Sequence, residues 1–124
     1  MDRYLLVMLG GGCGAMLRYA VGNCVAALFP GKFPLGTLIV NVTGCFLIGF
    51  IVHALIARVP LQPNFRILLV VGVLGGYTTF SSFAFETFEA LKVDEVGLAL
   101  LNAVGSVVLG LLAVWLGELT ARFV

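Results

Sequence analysis

The residues best suited to chemistry lie in one stretch, Gly75-Gly76-Tyr77-Thr78-Thr79-Phe80-Ser81-Ser82-Phe83, between two long apolar runs. It combines paired glycines, a block of hydroxyls and two phenylalanines one helical turn apart. Each glycine weakens a helix by about 1 kcal/mol relative to alanine, and threonine bonds back to its own turn. If the backbone opens here, the carbonyls of Gly75 and Thr78 lose their helical partners and offer oxygens to a small hard cation. Phe80 and Phe83 then share a face, and the positive edge of an aromatic ring suits a small anion. Ser81 and Ser82 add hydroxyl donors. Two phenylalanines at this spacing are also ordinary packing residues.

Other candidates are scattered along the chain. Thr37, Asn41 and Gly44 recur at spacings of four and three, which puts them on one helical face. An asparagine at mid-membrane either bonds a neighbouring helix or contacts something passing through. Arg18 is the one charge inside the first apolar run, where it must pair, face water or snorkel to the headgroups. Glu86, toward the end of the third apolar run, reads as an exposed helix-end acid. His53 lies off the Asn41 face and reads as an interfacial residue rather than a proton relay. Gly10-Gly11-Gly12-Cys13-Gly14-Ala15 formally fits GxGxxA, but a dinucleotide site needs a preceding strand, and close helix packing is the better account. Cys13, Cys24 and Cys45 include no CxxC pair and are expected to be buried free thiols.

The elements that must position these residues are membrane spans. The composition is 61% hydrophobic and 10% charged, with a mean hydropathy of +1.16. Soluble domains carry roughly a quarter charged residues, so the chain has too little polar surface to cover a globule in water. A span needs about 20 apolar residues, and the sequence accommodates four: 4–29, 35–57, 65–91 and 96–120. The third is expected to break near its middle. The whole chain, 1–124, is read as one all-α integral membrane domain. The first run is too long for a cleavable signal peptide.

The turn Pro30-Gly31-Lys32-Phe33-Pro34 separates the first two spans, 58–63 the next two, and Lys92-Val93-Asp94-Glu95 the last. On the fourth span Asn102, Ser106 and Gly110 share a face, and Trp115 suits a membrane interface. Arg3, Arg58, Arg66 and Arg122 fall on one side and Lys32 and Lys92 on the other, a weak bias that would permit insertion either way round. No basic patch suggests nucleic acid, and no cluster of catalytic groups suggests an enzyme.

The Gly75–Phe83 stretch resembles the signature of the Fluc (CrcB) fluoride channel family. So do Gly14-Ala15-Met16-Leu17-Arg18-Tyr19 and Gly36-Thr37-Leu38-Ile39-Val40-Asn41, in the same order and over a chain of similar length. Ser82 stands where that family pattern has threonine, which keeps the hydroxyl. The resemblance implies an antiparallel, dual-topology homodimer in the cell inner membrane. It also implies passive fluoride export and a central structural sodium held by carbonyls of Gly75 and Thr78. Phe80, Phe83, Asn41 and Ser81 would line the fluoride path, with Ser82 and Thr37 as weaker candidates; Arg18 and Glu86 would lie near its vestibules. The alternative is a small four-span proton-coupled multidrug exporter, also dimeric. Such an exporter needs an acid in its first span, and none occurs between Asp2 and Glu86.

Overall fold

The computed structural model describes residues 3–57 and 63–123, with the side chains of 55–57 left aside. Most of the expected second loop, 58–62 with Arg58, lies outside the described residues. The ordered elements of the described residues are all helices, and four helical segments are long and apolar enough to cross a membrane. Helix α1 is Arg3–Leu28. Helix α2, Leu35–Ile51, continues as a π-helical stretch, Val52–Ala57. Helix α3 occupies 63–77 and is π-helical over Ile67–Leu74. After two extended residues the same span resumes as α4, Phe80–Lys92, and α5 is Val96–Ala121.

Two parallel pairs organise the bundle, α1 along α3 and α2 along α5, with α4 leaning on α5. Glycines make both pairs possible. Gly10 and Gly14 on α1 face Gly72 and Gly76 on α3, so two four-residue glycine spacings meet. A Cβ on Gly14 would lie 2.1 Å from the Val73 carbonyl oxygen, a backbone atom with no freedom to yield. In the second pair a Cβ on Gly117 would lie 2.1 Å from the Phe46 carbonyl oxygen. Lipid tails are as apolar as leucine, so close backbone approach, rather than water exclusion, holds such helices together. The buried side chains are correspondingly small, among them Val40, Ala99, Ala113 and Ala121, while Leu101, Leu111 and Trp115 point outward.

Two expectations need correcting. Gly75 and Gly76 do not themselves break the third span: Gly75–Tyr77 is helical, with Gly75 at φ −63° and ψ −34°. The break falls one step later, at Thr78 (ψ 157°) and Thr79 (φ −148°, ψ 118°). Gly76 remains helical because its work is packing; a Cβ there would meet the Gly11 carbonyl oxygen at 2.4 Å. The cysteines are free, but Cys13 and Cys24 are exposed in the single chain rather than buried.

At the end of the bundle where α2 and α5 begin, the turn after α4 closes through hydrogen bonds from the Asp94 N–H to the Leu91 carbonyl (3.2 Å) and from the Glu95 N–H to the Ala90 carbonyl (2.9 Å). That is a Schellman closure with Asp94 in the left-handed region at φ 59°. Glu95 then meets Lys32 from the α1–α2 loop in an ion pair. The hydrogen bond to Glu95, together with its charge, raises the Lys32 pKa. At the opposite end His53 lies 3.9 Å from Glu118, which also binds Arg122 at 2.8 Å. The histidine therefore has a carboxylate neighbour that sequence spacing did not reveal.

Gly14→Ala should destabilise the fold by about 1–3 kcal/mol, the usual cost of overpacking, whereas Gly12→Ala, whose Cβ meets nothing within 4 Å, should be tolerated. Thermal unfolding of the two variants in detergent checks this.

Candidate functional site, a broken helix clasped by asparagine

An extended residue in the middle of a membrane span exposes an N–H and a C=O that the helix no longer satisfies, at a cost of several kcal/mol if they stay orphaned. At Thr79 both are taken by one side chain. The Asn41 Nδ2–H donates to the Thr79 carbonyl at 2.9 Å, and the Thr79 N–H donates to Asn41 Oδ1 at 2.8 Å. The amide acts like one residue of a neighbouring β-strand. Its orientation follows from the two bonds, since a flipped amide would set donor against donor. Asn41 Nδ2 carries a second hydrogen that this pairing does not use.

The next turn begins from Thr79, which is buried. Its Oγ1 accepts the Ser82 N–H at 3.2 Å, an N-cap for α4. The same hydroxyl donates to Ser82 Oγ at 3.1 Å and lies 3.3 Å from Ser81 Oγ. Ser82 thus accepts from Thr79 and keeps its own proton for another partner. Thr78 is tied down on the other side of the break, its N–H and its Oγ1–H both reaching the Leu74 carbonyl at 3.0 Å. Since Thr79 N–H has turned to Asn41, the Gly75 carbonyl loses the donor four residues on that an unbroken helix would supply.

Around this clasp is a concavity of about 320 Å³, lined by Asn41, Gly44, Gly75, Thr78, Thr79 and Phe80 among others. Phe80 is 79% exposed in the single chain, and its ring centroid lies 5.6 Å from that of Phe83, tilted by 48°. The structure therefore gathers Asn41, Gly75, Thr78, Phe80, Phe83, Ser81 and Ser82 into one neighbourhood. Thr37 and Glu86 form a second one farther along α2 and α4, where the Thr37 hydroxyl donates to Glu86 Oε1 at 2.6 Å. Glu86 Oε2 is buried without a hydrogen-bond partner among the described residues. Arg18 joins neither group and makes no hydrogen bond or ion pair among the described residues.

Three residues that matter here were not singled out by sequence. Thr79 is the hub of the break, and a threonine followed by Phe-Ser-Ser is an N-cap signal that could have exposed it. Thr43 Oγ1 lies 2.9 Å from the Tyr77 hydroxyl, bracing α3 just before the break. Thr87 receives the Asn102 Nδ2–H at 2.9 Å, and Ser106 donates back to Asn102 Oδ1 at 3.3 Å. The shared face of Asn102 and Ser106 was legible, whereas their partner on α4 was not.

A family model described as "CrcB-like protein, Camphor Resistance (CrcB)" matches residues 5–118. The chain belongs to the CrcB family. Among its relatives, the "Fluoride-specific ion channel FluC" of Solibacter usitatus is 48% identical over 97% of this chain and 98% of the relative. That of Thermus thermophilus is 50% identical over 94% of this chain and 93% of the relative. That of Coxiella burnetii is 45% identical over 95% and 96%. These CrcB relatives carry the name of a channel, in keeping with the expectation of a transporter rather than an enzyme.

Asn41→Ala should leave the Thr79 N–H and C=O unpaired in a dry span, at about 1–3 kcal/mol for each group. Thr79→Val, which removes the cap and keeps the shape, should cost about 1 kcal/mol. Denaturation midpoints that rank the two variants in the reverse order would refute the clasp as the main support of the break.

Proposed function

We propose that this chain is a subunit of a passive fluoride channel that lets fluoride leave the cell down its gradient across the cytoplasmic (inner) membrane. The observation that carries the reading is the clasped break. It leaves unused donors (the second Asn41 N–H and the Ser82 proton) in the same neighbourhood as Phe80 and Phe83, in a chain whose relatives are named fluoride-specific channels. Fluoride is small and strongly hydrated, so a path for it must replace its water with donors without holding it too tightly. Amide and hydroxyl hydrogens do the first, and the weak positive edges of phenyl rings do the second. Ser81 belongs to the same donor set, and Thr37 with Glu86 lies farther along the path toward Lys32.

The working unit is proposed to be an antiparallel pair of chains. Phe80 lines the concavity and is exposed in the single chain, and a second copy packed there would supply a further wall to each path. Opposed insertion also fits the weak charge bias of the loops.

Gly75 and Thr78 fit a sodium ion. The Gly75 carbonyl has lost its helical donor, Thr78 is extended, both residues line the same concavity, and carbonyl oxygens suit a hard cation. One chain offers only these two oxygens, and a second copy would double the set. When bound, the ion would add a fixed positive charge at the junction of the two chains without itself crossing.

Purified protein in liposomes should release fluoride rapidly and chloride hardly at all. Equal release of both ions, or release that needs a proton gradient, would refute the channel and favour the exporter. Phe80→Ile and Phe83→Ile should each slow fluoride release while the protein elutes unchanged from a sizing column. Replacing sodium with a larger monovalent cation should weaken the dimer or its flux, and a dimer indifferent to that exchange would remove the ion from Gly75 and Thr78.

A further inference from the structure

Two clefts open at the end of the bundle that carries the α1–α2 loop. One, about 510 Å³, is lined by residues of α4, α5 and the turn between them, together with Lys32 and Pro34. The other, about 530 Å³, lies between the end of α1 and the start of α2. Lys32 and Glu86 belong to both linings. The second cleft is also lined by Thr37, so the Thr37–Glu86 contact and Lys32 border the same mouth.

The charges around that mouth are unequal. The first cleft is lined by Glu86, Glu89 and Glu95, and Glu89 is paired at 2.8 Å with Lys92 beyond the lining. Lys32 is the one cation among the described lining residues of either cleft. Without it, the lining of the first cleft would carry Glu86 and Glu95 with no cation paired to them, Glu89 alone being matched by Lys92. The Lys32 side chain is 78% exposed on a flexible stem, whereas that of Glu95 is 29% exposed. Glu95 is also fixed by its backbone. Its N–H closes the Schellman turn, and its carbonyl accepts the Leu98 and Ala99 N–H groups at 3.0 and 3.1 Å. A carboxylate on an anchored backbone thus pairs with an ammonium on a more exposed stem.

We propose that Lys32 and Glu95 form an electrostatic entry control for the anion path, in which Lys32 draws anions into the mouth and Glu95 restrains it by pairing. This rests on the fluoride-channel reading. Exposed ion pairs contribute little to stability and exchange readily with water, so the pair acts on the rate of anion entry rather than on the fold. A unit charge about 10 Å from an ion in water changes the local ion concentration about two-fold at low salt. At about 1 M salt, where the screening length is about 3 Å, the effect should vanish.

Fluoride release from liposomes, measured at low and high concentrations of an impermeant salt, tests the idea. At low salt Lys32→Gln should slow release about two-fold and Glu95→Gln should speed it about two-fold. The double variant should return near the wild-type rate, Lys32→Arg should match wild type, and all differences should collapse at high salt. Single variants that both slow release, or that differ equally at high salt, would show a mechanical tie and overturn the proposal. Single variants indistinguishable from wild type at low salt would overturn it as well, while leaving the channel reading standing. A wild-type protein that releases no fluoride would bring down the channel reading, and this proposal with it.

Discussion

A membrane helix cannot stop and restart in hydrocarbon unless something satisfies the backbone groups set free. Here one asparagine does so, with its two amide atoms on the two backbone groups of Thr79. Much else depends on that pairing. It permits two extended residues at mid-span, which lets α4 start afresh with its own N-cap. The new start sets the direction of Phe80 and Phe83 and brings Ser81 and Ser82 around the Thr79 hydroxyl. It also strips the Gly75 carbonyl of its donor. A single pair of hydrogen bonds between α2 and the third span therefore precedes every feature that an ion could meet at the concavity.

The clasp also shows how Asn41 ties two spans together while leaving a donor unused. Mid-membrane asparagine is commonly either a structural tie or a contact for a passing solute. An amide has two acceptor lone pairs and two donor hydrogens, and Thr79 engages one donor. The remaining N–H is held in position by the bonds already made, with no freedom left for the side chain to turn away. The structural tie uses one hydrogen of this nitrogen and the proposed fluoride contact would use the other, so a substitution at Asn41 would remove both together.

Much of this was legible in the sequence because membrane spans leave coarse signals. Four apolar runs marked the spans to within a few residues at their ends, and the unusual composition of 75–83 marked the interrupted one. The exact break was not legible. Glycine propensity pointed at Gly75 and Gly76, but Gly76 packs against Gly11 as part of the helix, and the extended residues are threonines, of which Thr79 has its lost bonds replaced from α2. The π-helical stretches left no recognisable pattern either. Partners far apart in sequence were equally hidden. Thr37 with Glu86, His53 with Glu118 and Asn102 with Thr87 each join residues whose proximity depends on how whole helices are paired.

The pairing itself has a consequence for how the chain is made. The tightest glycine contacts, with a Cβ under 3 Å from facing backbone, join parallel helices, α1 with α3 and α2 with α5, whereas the hairpin neighbours α1 and α2 meet less closely, a Cβ on Gly36 lying 3.4 Å from Gly22. While the first two spans are alone in the bilayer, the Gly10–Gly14 face of α1 has no surface to meet. It gains one only when α3 has been inserted, and Gly49 on α2 waits for α5. Close packing is thus deferred until late in synthesis, and a chain halted after its second span would carry bare glycine grooves into the lipid.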